Sequence, residues 1–314
     1  MNPYKRIMAA TLLIVLFIGG CNGSSSTNIN EGYGFITARI QSLAPNSNVL
    51  YVYHDNQDTM FIAELQNDMF MQAENLMIVP DNFNPEVIQL GNIQNSFPIT
   101  MRGYNMTTRI KDHHIIEVPV PLNTRVIQGR PYSTNVRFHM CAVTRTYLET
   151  QMCIRHQSTL NPQRSTCTPG PVSLTRGQGA PVAFTSIRQY DSGNMVTFHI
   201  NVVNRGSGLV YDSSEREECG FIGQDSIGII NLDYLMISGR PATCDRTTER
   251  MGYTRQYQAS SGTTFICRID KGDIGMSDAE SPQQHVIEAQ LSYNYYTELP
   301  SQNIIIRNAP GYGG

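Results

Sequence analysis

The sequence predicts an all-β chain, arranged as two tandem β-sandwich domains behind an exported amino terminus. Three observations lead there. Short segments alternate apolar and polar residues with the two-residue period of a strand. Clusters of Gly, Pro, Asn and Asp separate them. Six cysteines follow an export signal. The stretch from Gly177 to Tyr211 shows the pattern best: Val196, Phe198, Ile200 and Val202 alternate with Thr197, His199, Asn201 and Val203, and turn-forming residues lie at Asp191 to Asn194 and Asn204 to Gly208.

Residues 1–20 form the signal. Lys5 and Arg6 precede an uncharged, mostly apolar run from Ile7 to Gly20, which closes on Ile18-Gly19-Gly20-Cys21 as a lipobox. The run is shorter than the roughly 20 residues that a membrane-spanning helix needs. Cys21 is therefore the expected lipid anchor; an ordinary secretory signal with an incidental cysteine is the alternative. A diacylglyceryl group supplies two chains, the number that makes attachment stable. Residues 21–32 hold the lipidated cysteine and a tether rich in Gly, Ser, Thr and Asn.

Residues 33–172 form the first expected domain. Ile36, Ala38 and Ile40 alternate, and Leu50 to Tyr53 is a second strand. Thr59 to Val79 fits two readings, because Phe61, Leu65, Met69, Ala73 and Leu76 also recur at helical spacing with Asp58 placed as a cap. A loop at Pro80 to Pro85 is followed by strands at Val87 to Leu90, Phe97 to Met101, Ile115 to Val120, Thr134 to Cys141 and Tyr147 to Ile154. Arg155 to Arg176 is polar and turn-rich and marks the joint. Residues 173–314 form the second domain: the hairpin above, an acidic loop at Asp212 to Cys219, strands at Ile227 to Ile237 and through Phe265, Cys267 and Ile269, and a final hairpin of Ile287 to Tyr295 with a strand near Asn303 to Arg307.

Beyond Cys21, the cysteines are Cys141, Cys153, Cys167, Cys219, Cys244 and Cys267. An even number in an exported chain favours disulfides, and the absence of a CxxC pair argues against zinc. Three lie up to the joint and three beyond it, so complete pairing needs at least one bridge between the halves. If Cys141 and Cys153 lie on hairpin arms turning at Ala142 to Arg145, Cys141 faces about Thr146 and Cys153 lies about 23 Å along the partner strand, so their pairing is disfavoured. The expected bridges are Cys153 with Cys167, Cys244 with Cys267, and Cys141 with Cys219; buried reduced thiols are the alternative.

The segments Cys141 to Ile154, Cys167, Gly177 to Val182 and Asn204 to Gly208 resemble uncharacterised exported envelope lipoproteins predicted from archaeal genomes. The resemblance implies two immunoglobulin-like domains and a place in the cell envelope, and it carries no catalytic residue. The Asn-x-Gly-x-Gly ending is also similar to adhesion-type surface repeats. The chain departs from such folds at Asn67-Asp68, where they place a glycine-containing turn.

The formal net charge is −3, and loss of Lys5 and Arg6 with the signal leaves 21 basic against 26 acidic residues, so no nucleic-acid footprint is present. Asn22 and Asn105 head sequons and are glycosylation candidates. His113 and His114 are adjacent and point to opposite faces, and His139 and His199 are expected at the surface. No Gly-x-Ser-x-Gly elbow or phosphate loop occurs. The acidic loops with Asp212, Glu215, Glu217 and Glu218, or Asp270, Asp273 and Asp278, lack EF-hand spacing and read as solvated; no metal site or cofactor is expected. Tyr293 and Tyr295 are expected in the core with Tyr296 outward.

The expected protein is thus a lipid-anchored, non-catalytic structural or adhesion-type module. Its partners are the membrane through its lipid, other envelope proteins or glycans, and no nucleic acid. The alternatives are a solute- or glycan-binding lipoprotein, favoured by a tyrosine-lined pocket at the joint, and an envelope hydrolase.

Overall fold

The computed structural model describes residues 35–42, 49–52, 59–81, 84, 86–87, 99–105, 107–108, 110–120, 131–154, 167–174, 178–212, 219, 222–251, 262–276 and 282–308. The expected signal, Cys21, Asn22 and the expected tether lie outside them. Every regular element described is a strand. In chain order these are β1 (Ile36–Ser42), β2 (Val49–Val52), β3 (Thr59–Asn67), β4 (Ala73–Asp81), β5 (Ile99–Met101), β6 (His113–Val120), β7 (Tyr132–Ile154), β8 (Val172–Ser173) and β9 (Val182–Ser192). They continue as β10 (Met195–Asn204), β11 (Leu209–Tyr211), β12 (Ile229–Ile237), β13 (Arg240–Pro241), β14 (Thr243–Cys244), β15 (Thr248–Arg250), β16 (Thr263–Asp270), β17 (Gln283–Glu298) and β18 (Gln302–Asn308).

Two of the sequence expectations are corrected here. Thr134 to Ile154 lies within one strand of 23 residues, β7, rather than forming two strands and a turn. Nothing between Val136 and Ile154 is Gly, Pro, Asn or Asp, so no residue there favours a turn. Cys141 and Cys153 are kept apart because they lie on the same strand. The last strand also forms no hairpin with β17. Gln283 to Glu298 pairs antiparallel with Ile154 back to His139, and after Leu299 to Ser301 the pairing resumes from Gln302 opposite Val136. β17 and β18 are therefore one interrupted arm along β7, with β2 added parallel to β18. The open choice for Thr59 to Val79 resolves as β3 and β4 joined by a turn.

This ladder threads two apolar cores. In one, Leu148, Met152 and Ile154 of β7 and Ile287 to Tyr295 of β17 pack against Phe184, Phe198, Ile200 and Phe265 from the sheet ordered β14-β16-β10-β9-β8. In the other, Val136, Phe138 and Met140 of β7, Leu76 and Ile78 of β4 and Ile306 of β18 pack against Ile36, Ile40, Ala63 and Leu65 from the sheet ordered β1-β3-β6. Phe35 touches both. The ladder crosses the expected boundary at 172/173, and each core draws on residues from both sides of it.

Asn67 does the work that a glycine turn does elsewhere. Its buried amide donates to the Arg102 carbonyl at 2.9 Å and its Oδ1 accepts from the Met69 amide at 2.9 Å, closing the turn between β3 and β4. Asn204 to Gly208 is shaped by close approach: a Cβ on Gly206 would lie 2.1 Å from the Tyr295 hydroxyl, and one on Gly208 2.1 Å from the Tyr296 carbonyl oxygen. The Gly208 amide instead donates to the Tyr295 hydroxyl at 2.7 Å. The cysteines pair as Cys141–Cys219, Cys153–Cys167 and Cys244–Cys267, the three bridges expected.

Candidate interaction site

The outer face of β9 and β10 and the open edge of β9 form the candidate interaction surface. Ser192 pairs with Met195, so Gly193 and Asn194 make the turn, with Gly193 at φ +62° as the first position of a tight two-residue hairpin favours. That register sets Tyr190 opposite Thr197 and Arg188 opposite His199. The Tyr190 ring lies 4.5 Å from the His199 ring and stays 48% exposed. Arg188 is exposed, and no carboxylate is paired with it among the described residues.

The edge of β9 opens where β8 ends. Leu174 donates to the Thr185 carbonyl at 2.9 Å and Val172 pairs with Ile187. Alternation then turns the backbone groups of Gln189 and Asp191 to that same side. β8 stops there, where the chain before it is Pro169-Gly170-Pro171, whose prolines hold φ near about −65° and away from strand geometry. A cleft of about 380 Å³ lies between this loop and Arg188 to Asp191. The Cys153–Cys167 disulfide anchors the loop, and the Gln189 side chain donates to the Cys153 carbonyl at 2.6 Å, holding β9 against the end of β7.

Under the cleft lies a buried ion pair. Lys271 is 2% exposed, and its Nζ lies 2.6 Å from Asp191 Oδ1 and 2.5 Å from the Gly193 carbonyl oxygen. A lysine so buried stays charged only when paired and hydrogen-bonded, and here it ties the β9–β10 turn to the turn after β16. Asp191 Oδ2 is buried with no hydrogen-bond partner.

Sequence reasoning missed this surface, although fixing the two-residue turn gives its register directly. Of the expected site residues, Asn105 is exposed, and its Oδ1 accepts from the amides of Thr107 and Thr108 at 2.9 and 3.0 Å. Tyr293 and Tyr295 are buried and Tyr296 is half-buried on the other face. Burial pushes the Tyr295 hydroxyl up to about 12. The expected surface position of His139 is corrected: it is 7% exposed, covered by the Tyr296 ring at 5.0 Å. Burial lowers its pKa, opposed by Asp81 and Glu298. Its Nε2 lies 3.2 Å from Asp81 Oδ2 without the alignment of a hydrogen bond. His113 and His114 do lie on opposite faces of β6, and His114 meets Asp112 at 3.2 Å.

Asp270 accepts from the Gly272 amide at 2.7 Å and shapes a turn; Glu215, Glu217, Glu218 and Asp278 fall outside the described residues. Among the described residues no cluster of His, Cys, Asp or Glu is arranged for a metal. Ser238, at φ +49° in the turn after β12, lies 3.0 Å from His285 Nδ1, but His285 Nε2 is buried without a partner, so no acid orients the imidazole as a hydrolase triad requires. No protein-family model, curated protein or solved structure matches the chain.

Proposed function

We propose that the protein is a membrane-anchored, extracytoplasmic structural or adhesion-type module of a cell envelope, held by a lipid on Cys21 and working through its surface without catalysis. We read its two cores as immunoglobulin-like sandwiches fused through β7 and the β17–β18 arm. The observation that carries the role is the bracing: three disulfides, one of them spanning 78 residues, lock an all-β body in the way that oxidising compartments permit. Expected partners are the membrane through the lipid and envelope proteins or glycans; nucleic acid is not among them, given the acidic balance.

A solute- or glycan-binding lipoprotein is the second reading. The cleft favours it, since Pro169 to Pro171 belong to the expected joint and Tyr190 offers one aromatic face beside them. Fractionation of cells making the native chain and Cys21→Ser tests the anchor. The native chain is expected in the membrane fraction and released only by detergent, and Cys21→Ser in the soluble extracytoplasmic fraction. Equal partition of the two would end the anchored reading.

A further inference from the structure

We infer that the open edge of β9 beside Pro169-Gly170-Pro171 is a strand-addition site, which takes an extended peptide segment carrying an acidic side chain. This rests on the interaction-module reading and names the partner class of its surface. Four features converge. The backbone groups of Gln189 and Asp191 face the cleft, by the alternation that the Val172–Ile187 pair fixes, and no described strand covers that edge beyond Ile187. The opposite wall does not continue the ladder: no pair is formed beyond Val172–Ile187, and Pro169 and Pro171 hold φ near about −65°, away from strand geometry.

The strand is also rigid enough to serve as a template. β10 pairs its other edge through ten positions, Gln189 is tied to the Cys153 carbonyl, and Lys271 fastens its end. Recognition by β-addition draws affinity from main-chain bonds to such a fixed edge. Finally, the charge is complementary to an acid: Arg188 projects at the rim with no carboxylate paired to it among the described residues, next to the exposed Tyr190 ring. The cleft, at about 380 Å³, has room for only a few residues, which fits a short segment and not a folded domain.

The test is titration of the purified, oxidised full chain with a capped soluble peptide of alternating threonine and valine and one central glutamate. The comparison probe is the same peptide N-methylated on alternate amides, in both registers. The unmodified peptide is expected to bind at least about tenfold more tightly than either methylated form. Gln189→Pro, which removes one amide proton from the edge, is expected to weaken it by a similar factor, while Gln189→Ala, which keeps the amide proton and loses the side-chain tie, is expected to weaken it less. Arg188→Glu is expected to prefer a lysine-centred peptide.

Indifference to N-methylation in both registers, or no binding of either peptide, overturns the inference. So does binding of an oligogalacturonate that Tyr190→Ala abolishes while the peptide is ignored, which would make the cleft a sugar site. The titration does not depend on localisation, so a failed Cys21→Ser fractionation would overturn the address and leave the edge standing.

Discussion

Tyr295 shows how one hydroxyl sets the residues around it. It accepts the Gly208 amide in a buried site, and the approach is close enough that neither Gly206 nor Gly208 has space for a Cβ. Tyr295→Phe leaves that amide without its acceptor and should cost about 1–3 kcal/mol in urea unfolding. Gly208→Ala forces a methyl against backbone and should cost at least as much, about 2–4 kcal/mol. His285 makes a pH prediction. Burial lowers its pKa, so the fold disfavours its charged form while the unfolded chain protonates near its ordinary value of about 6.5. Its contribution is therefore complete above that value and is lost as pH falls through it; urea midpoints measured from about pH 8 to about pH 5 should decline, and less steeply in His285→Gln. Alternation along one strand was enough to place Tyr293 and Tyr295 inside. It could not place His139, because the outer face of β7 is covered there by a ring from β17, and a long-range pairing leaves no local mark in the sequence.

Among the elements, β7 and its disulfides carry most of the bracing. Chain-entropy arguments give the 78-residue Cys141–Cys219 closure about 4.5 kcal/mol and the 14-residue Cys153–Cys167 closure about 3 kcal/mol. Cys141→Ser with Cys219→Ser should therefore lower stability by about 1.5 kcal/mol more than Cys153→Ser with Cys167→Ser, measured as paired urea midpoints. The individual strands were legible because their alternation and turn residues agree. The length of β7 was readable too, in the lack of turn formers after Val136, but a run from Ala142 to Arg145 with weak alternation invites a break that the β17 ladder in fact prevents. Parity requires only a bridge between the halves, and distance along a strand sets Cys141–Cys153 aside; the three pairs are a proposal among fifteen connectivities, and they stand in the fold although the hairpin premise does not.

For the whole molecule, the question is whether two cores behave as one. Sixteen consecutive residues of β17 pair with β7 across both. Native unfolding should be a single transition by circular dichroism and tyrosine fluorescence. Thr144→Pro interrupts the ladder between the cores, removing an amide proton from a central strand, and should split it into two. A joint at Arg155 to Arg176 is visible in composition, but composition cannot reveal that strands from either side of it lie together.

Leu299 and Ile306 belong to the core that also holds Ile36 and Ile40, so β1, the first of the described strands, waits for β18 to be synthesised. Such long-range closure is slow because most of the chain must be ordered before the contacts reward it. A nascent polypeptide stalled before β18 would keep that apolar face open to chaperones and proteases. The step that seals the core around β1 therefore comes only after β18 has emerged.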